Sequence, residues 1–129
     1  MLVHADGLVL IDHEVVHWGD PAFDLGFALT HFLSKANHRP DRRTAFAAAA
    51  NDFWRTYSRT AAATFDLLEH RAVKHTLACL LARVAGRSPL EYLSAVERAR
   101  QRAAVLVLIA ELPDCVEALV GRFLALISE

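Results

Sequence analysis

The sequence predicts a mainly α fold: an N-terminal β-hairpin followed by about five packed helices, together one domain over residues 1–129. Three observations predict it. Asp6-Gly7 separates two short apolar runs, Leu2-Val3-His4-Ala5 and Leu8-Val9-Leu10-Ile11. From Phe23 onward apolar residues recur at helical spacing. Between the periodic stretches stand residues that start or stop helices: Asp20-Pro21, Pro40, Asp66, Gly86, Ser88-Pro89 and Pro113-Asp114.

Asp-Gly between apolar runs predicts a tight hairpin turn, because a type I′ turn needs positive φ at both central residues. Residues 12–18 read as an irregular link. Asp20 is placed to cap the first helix, and Pro21 suits its first turn, where a missing N–H costs nothing. Phe23, Phe27, Leu29, Phe32 and Leu33 carry that helix to a fade near Asn37. Pro40 opens a second helix through about Arg59, with Phe46, Phe53, Trp54 and Tyr57 on one core-facing side. Asp66 caps a third, Leu67 to Ala85, with Gly86 as its stop. Ser88-Pro89-Leu90-Glu91 is a capping-box pattern for a fourth helix reaching about Leu112, with a break near Ser94. Its apolar run Ala103 to Ala110 is too short for a membrane span and reads as buried core. Pro113 and Asp114 start a fifth that runs to the terminus. An isolated hairpin is marginal in water, so this one must pack on the helices or pair with strands from outside these residues.

Composition excludes several classes. Hydrophobic residues make up 54% and charged residues 22%, which excludes a disordered or collagen-like chain. Lys and Arg number 14 against 15 Asp and Glu, so a bulk-basic nucleic-acid binder is not expected. Two cysteines, Cys79 and Cys115, make no disulfide framework, and Cys79 sits in an apolar stretch as a small core residue. With no leader or membrane segment in view, the expected setting is cytoplasmic, with no membrane partner. The charge is uneven. Residues 1–34 hold Asp6, Asp12, Glu14, Asp20 and Asp24 and no Lys or Arg, which marks this front as the chemical end.

Asp12 and Glu14 follow the apolar run 8–11. Two residues apart in extended backbone, they point to one side, and two hard oxygen donors suit Mg²⁺ carrying phosphate. An overlapping pattern competes. His13-Glu14-Val15-Val16-His17 is H-E-x-x-H, which on a helix presents two zinc ligands and a base. The preceding β-run and the following Gly19-Asp20-Pro21 leave little room for that helix. No spacing singles out a third ligand among His31, His38, His70 and His75. Asp24, one turn into the first helix, favours the helix N-terminus electrostatically or holds a neighbouring loop.

Ile11-Asp12-His13-Glu14 followed by Gly19-Asp20-Pro21-Ala22-Phe23-Asp24-Leu25-Gly26 resembles the end of the active site in the aminoglycoside phosphotransferase family. That family is similar to choline kinases and methylthioribose kinases and shares the protein-kinase-like fold. Residues 83–93 also resemble a helix junction found late in some members. The resemblance implies that the chain is the C-terminal part of a phosphotransferase C-lobe. It implies ATP and Mg²⁺ as cofactors and a small-molecule hydroxyl as acceptor. Asp12 matches the strand-end Asp that holds Mg²⁺, and Glu14 a nearby acid that assists it. Asp20 and Asp24 match residues that support the active site. The family's H-G-D-x-x-x-x-N catalytic loop does not occur in these residues, nor does a nucleotide-binding lobe. The chain alone is therefore expected to be inactive, with no catalytic residue of its own. His4-Ala5-Asp6 is only a superficial His-x-Asp on the hairpin.

A second class remains open: a non-catalytic helical module that uses the hairpin edge and helix faces for self-association, as a homo-oligomer, or for partner binding. Arg98, Arg100 and Arg102 do not share one helix face and read as solvated, as do Arg39, Arg42 and Arg43 at a helix start.

Overall fold

A computed structural model describes residues 2–5, 7–9, 11, 16–60 and 68–129. A short antiparallel hairpin precedes five helices, the architecture read from the sequence. Strand β1 (Leu2–His4) pairs with β2 (Gly7–Val9) in the register Leu2 to Val9, Val3 to Leu8 and His4 to Gly7. That register shifts the predicted turn by one residue. Gly7 closes the pairing and enters β2 rather than sitting at the turn centre. Its φ of 149° still requires glycine.

Helix α1 (Pro21–His38) is the axis of the bundle, touching the other four helices. Asp20 caps it, its side chain accepting from the Ala22 N–H at 3.0 Å. A single 3-10 turn, Pro40–Arg42, leads into α2 (Arg43–Thr60), so the helix predicted from Pro40 becomes α-helical three residues later. Helix α3 (Leu68–Ala85) ends where predicted, the Gly86 N–H bonding back to the Ala82 carbonyl. The Asp66 cap falls outside the described residues.

Helix α4 (Ala95–Ala110) corrects one boundary. Two Ser-x-x-Glu boxes compete, and Ser94 with Glu97 wins over Ser88 with Glu91. Ser94 accepts from the Glu97 N–H at 3.2 Å, and Glu97 accepts from the Ser94 N–H at 2.6 Å. Ser88 is instead engaged by Arg83, and Leu90 and Leu93 are buried beneath the link, which holds residues 88–93 off the helix. Helix α5 (Val116–Leu126) begins two residues after Asp114. Its first turn is satisfied by the Cys115 sulfur, which accepts from Ala118, and by Glu69 of α3, which accepts the Val116 N–H at 2.8 Å.

The main core gathers Leu29 and Leu33 of α1, Val73, Leu77 and Leu80 of α3, Val105 and Leu108 of α4, and Leu119 and Phe123 of α5. A smaller cluster at the α1 entry holds Ala22, Leu25, Leu68 and Ala72. Phe53 and Trp54 pack against both clusters and Tyr57 against the smaller, as the α2 aromatic pattern predicts. Phe46, also in that set, is half-buried. Where α1 crosses α3, Gly26 brings the backbones together. A Cβ there would lie 2.6 Å from His75 Cβ and 2.8 Å from the Thr76 nitrogen. Beside it the buried Thr30 hydroxyl donates to the Gly26 carbonyl at 2.8 Å.

Two arginines predicted to be solvated are not. Arg100 donates to the Asn37 side-chain oxygen at 2.8 Å and to its carbonyl at 2.9 Å, and Arg98 donates to the Leu93 carbonyl. Buried Asn37 donates in turn to the Glu97 carbonyl, and buried Gln101 to the Leu80 carbonyl, tying α1, α3 and α4 together. Asn37 needs these partners because an unpaired buried amide costs free energy. Arg39, exposed, pairs with Asp41, and Arg43 donates to Ser128.

The structure narrows two expectations about apolar surface. Among the described elements the hairpin packs on no helix, leaving Leu2, Val3, Leu8 and Val9 exposed. The run Ala103 to Ala110 is core on one side only. Ala104, Val105 and Leu108 are buried, while Leu106, Val107 and Ile109 face out.

Phe123→Ala should cost about 3–5 kcal/mol, the usual loss for a buried aromatic truncated in a core, read as a lower urea midpoint at unchanged slope. Gly26→Ala should cost about 1–3 kcal/mol by overpacking, because the atoms opposite are backbone and Cβ and cannot swing away. A wild-type midpoint for either variant would contradict the packing described.

Candidate functional site

Two carboxylates of the acidic front, Asp20 and Asp24, stand at the entry of α1. Asp20 does two things there. One oxygen caps the helix, and the other accepts from Arg71 Nε at 2.9 Å, with Arg71 Nη2 3.4 Å from the capping oxygen. Arg71 stands in the first turn of α3, so this pair fastens the segment before α1 to the helix that crosses it. The Ala22 N–H and then the Arg71 guanidinium hold the Asp20 carboxyl below the usual carboxylate range. The exposed position keeps the pair screened, so it orients the entry more than it stabilises the fold.

Beside this anchor a cavity of about 790 Å³ opens to solvent. His17, Trp18, Asp20, Phe23, Asp24 and Tyr57 are among its lining residues. Trp18 is fully exposed, and Phe23 nearly half so. Phe23 is held by rings on either side, stacked on Phe27 at 6.2 Å and edge-on to His75 at 5.8 Å. His17 lies against Gly19, its Nε2 3.0 Å from where a glycine Cβ would stand. An open wall of aromatic faces carrying one anchored and one exposed carboxylate can take a small polar molecule with an apolar face.

The structure brings together some predicted site residues. Asp20 and Asp24 line one cavity, and Asp20 caps α1 and pairs with Arg71. Asp12 and Glu14, the Mg²⁺ candidates, lie outside the described residues, as does His13 of the H-E-x-x-H pattern. Among the described residues no three His, Cys, Asp or Glu side chains are grouped to hold a metal ion. His38, a candidate third zinc ligand, is engaged with Glu97 at 3.0 Å, and His31 and His75 pack edge-on against Phe27 and Phe23. Burial pushes the Cys79 thiol up, against a nucleophilic role and in keeping with a packing residue.

Sequence reasoning missed Arg71 and Trp18. Arg71 is 51 residues from Asp20, and no local spacing announces such a pair. Trp18 carried a signal, a large apolar side chain in a stretch otherwise without periodicity. No model of a known protein family, no curated protein and no solved structure matches the chain.

Asp20→Asn keeps a capping oxygen but loses the charge facing Arg71. A carboxyl whose folded pKa is lowered adds stability above its ordinary pKa, and that stability is lost as pH falls through the folded value. The melting temperatures of wild type and Asp20→Asn should therefore differ at pH 7 and converge as pH falls through the lowered folded pKa of Asp20. A gap that persists unchanged at low pH would show that the Arg71 pair is not its source.

Proposed function

We propose that the chain is the C-terminal part of an ATP-dependent small-molecule phosphotransferase of the aminoglycoside phosphotransferase type. The observation that carries this reading is the ordered pair of acidic motifs, Ile11-Asp12-His13-Glu14 and then Gly19-Asp20-Pro21-x-x-Asp24. The local geometry supports it. Pro21 opens a helix, Asp20 caps it, and Arg71 pins that entry, which is the rigid setting such an acidic loop requires. Asp12 is the proposed Mg²⁺ ligand, Glu14 its assistant, and Asp24 a support for the loop that carries the base.

Phosphoryl transfer depends on positioning and charge neutralisation more than on covalent help. Mg²⁺ on Asp12 would neutralise the nucleotide phosphates. Holding nucleotide and acceptor in line supplies up to roughly 7–11 kcal/mol in well-oriented systems. These 129 residues contain no catalytic His-Gly-Asp loop and no triphosphate cradle, so turnover in this reading needs both from outside them.

The test is ATP-dependent phosphorylation of aminoglycosides and related alcohols, with and without an upstream portion carrying that loop. The 129-residue chain alone should show no turnover above background. The extended protein should be active, and Asp12→Ala should lower its kcat at least about 1000-fold by removing the metal ligand. Full activity of the extended Asp12→Ala enzyme would overturn the metal assignment. Turnover by the short chain would overturn the division of labour.

The uncovered hairpin favours a second reading, a non-catalytic module whose strand edge accepts a partner strand. Mg²⁺-dependent nucleotide binding by the extended protein separates the two, since only the first reading requires it.

A further inference from the structure

Arg39, Arg71 and Arg122 pair with carboxylates, and Arg98 and Arg100 donate to backbone or amide oxygens. Two half-buried cations where α1 meets the last turn of α3 and the link 86–94 have no such charge opposite them. Lys35 Nζ lies 3.8 Å from the centre of the Tyr92 ring, and the Arg83 guanidinium lies over Phe27 at 5.1 Å. An aromatic face attracts a cation but leaves its charge in place. Arg83 donates from Nη1 to the Ser88 carbonyl at 3.0 Å and the Ser88 hydroxyl at 3.2 Å. Among the described residues its other donors hold no bond, and no carboxylate pairs with it or with Lys35. Half-buried His31 stands between the two, one turn after Phe27 and one turn before Lys35 on α1, edge-on to Phe27 at 4.9 Å. Burial, and then the charges of Arg83 and Lys35, hold its imidazole below the ordinary range.

The hydroxyls nearby repeat the pattern. Ser34 is fully buried, the Tyr92 hydroxyl is buried close to it, and neither has a hydrogen-bond partner. Were one to donate to the other, the second would still lack an acceptor. The junction is therefore rich in donors and short of acceptors. Cations and hydroxyls drawn out of water in that state cost free energy until an acceptor meets them.

We infer that this junction is an anion site, in which Lys35, Arg83 and His31 hold a phosphate group. Its donors come from α1, α3 and the link, so they approach from three directions rather than in one plane. That suits a tetrahedral oxyanion better than a flat carboxylate. Two fixed cations and an imidazole able to take a proton match its double negative charge. Phe27 and Tyr92 hold the cations in place beforehand, which lowers the ordering cost of binding. Lys35 stands about 22 Å along α1 from Asp20, at 1.5 Å per residue. The site is thus separate from the cavity at the helix entry, and the inference is independent of the phosphotransferase reading.

The experiment titrates the 129-residue chain with inorganic phosphate at constant ionic strength, with chloride as the control. Calorimetry should give saturable one-to-one binding with a dissociation constant below about 10 mM. The His31 ring resonances should titrate at higher pH with phosphate bound, because the ion offsets the Arg83 and Lys35 charges. Lys35→Met and Arg83→Met should each weaken binding at least about 10-fold, the loss of one charge-assisted contact. Arg122→Met, on α5, should leave it unchanged. Arg83 also holds Ser88, so its variant is checked by circular dichroism. Lys35→Met removes no hydrogen bond of the fold and keeps the test decisive. Glycerol phosphate is titrated in parallel. Tighter binding than inorganic phosphate would identify the ligand as a phosphate carried on a larger molecule, and weaker binding as the free ion. No saturable binding, an equal response to chloride, or a response untouched by Lys35→Met would overturn the proposal.

Discussion

Everything in this fold is hung on the crossing of α1 and α3 at Gly26. The side-chain-free position lets the two backbones approach until a methyl group would not fit between Gly26 and His75. That approach sets what lies on either side of it. Toward the C-terminal end of α1, Leu29 and Leu33 meet Val73, Leu77 and Leu80 and make the main core. Toward its N-terminal end, Ala22 and Leu25 meet Leu68 and Ala72, which brings Arg71 within reach of Asp20. The helix entry and its neighbouring cavity therefore owe their geometry to a glycine one and a half turns away.

The far end of α1 obeys a different constraint. Asn37 is fully buried, and its amide and carbonyl must all find partners. They find Glu97 and Arg100 on α4, and Gln101 extends the chain of bonds to Leu80 on α3. Apolar contacts alone would let α4 slide along α1 at small cost. A one-turn slide would leave several of these groups unpaired in the interior, so the polar network fixes the register that packing leaves loose. The same network explains why α4 starts at Ser94. Glu97 at once completes the capping box with Ser94 and offers the backbone carbonyl that accepts from the Asn37 amide.

Much of this was legible in the residues. Periodicity and caps place all five helices, and Asp20-Pro21 and Gly86 mark ends that the structure keeps. Several of the misplaced features share one cause, tertiary contact. Two capping boxes stand six residues apart, and only the buried Leu90 and Leu93 decide between them. Arg100 looks solvated because its partner, Asn37, is 63 residues away. The Val116 N–H at the start of α5 is taken by Glu69, 47 residues earlier, which no local spacing announces. At the site, Asp20 and Asp24 are readable from their helix position, whereas Arg71 is not. The Mg²⁺ role of Asp12 and Glu14 rests on motif alone, because those residues lie outside the described part of the structure.

The first turn of α5 is completed from a distance. Its Val116 N–H is taken by a carboxylate 47 residues earlier in the chain, and its Leu119 and Phe123 fill the space between α3 and α4. During synthesis this helix leaves the ribosome after the other four. Until it does, Leu77, Leu80, Val105 and Leu108 have water where Phe123 belongs. The bundle thus passes through a stage in which four helices exist and the core is open along one side. Sequestration by chaperones, or collapse onto another nascent chain, competes with folding in that interval. The apolar outer face of α4, exposed through the same interval, gives such encounters a place to begin.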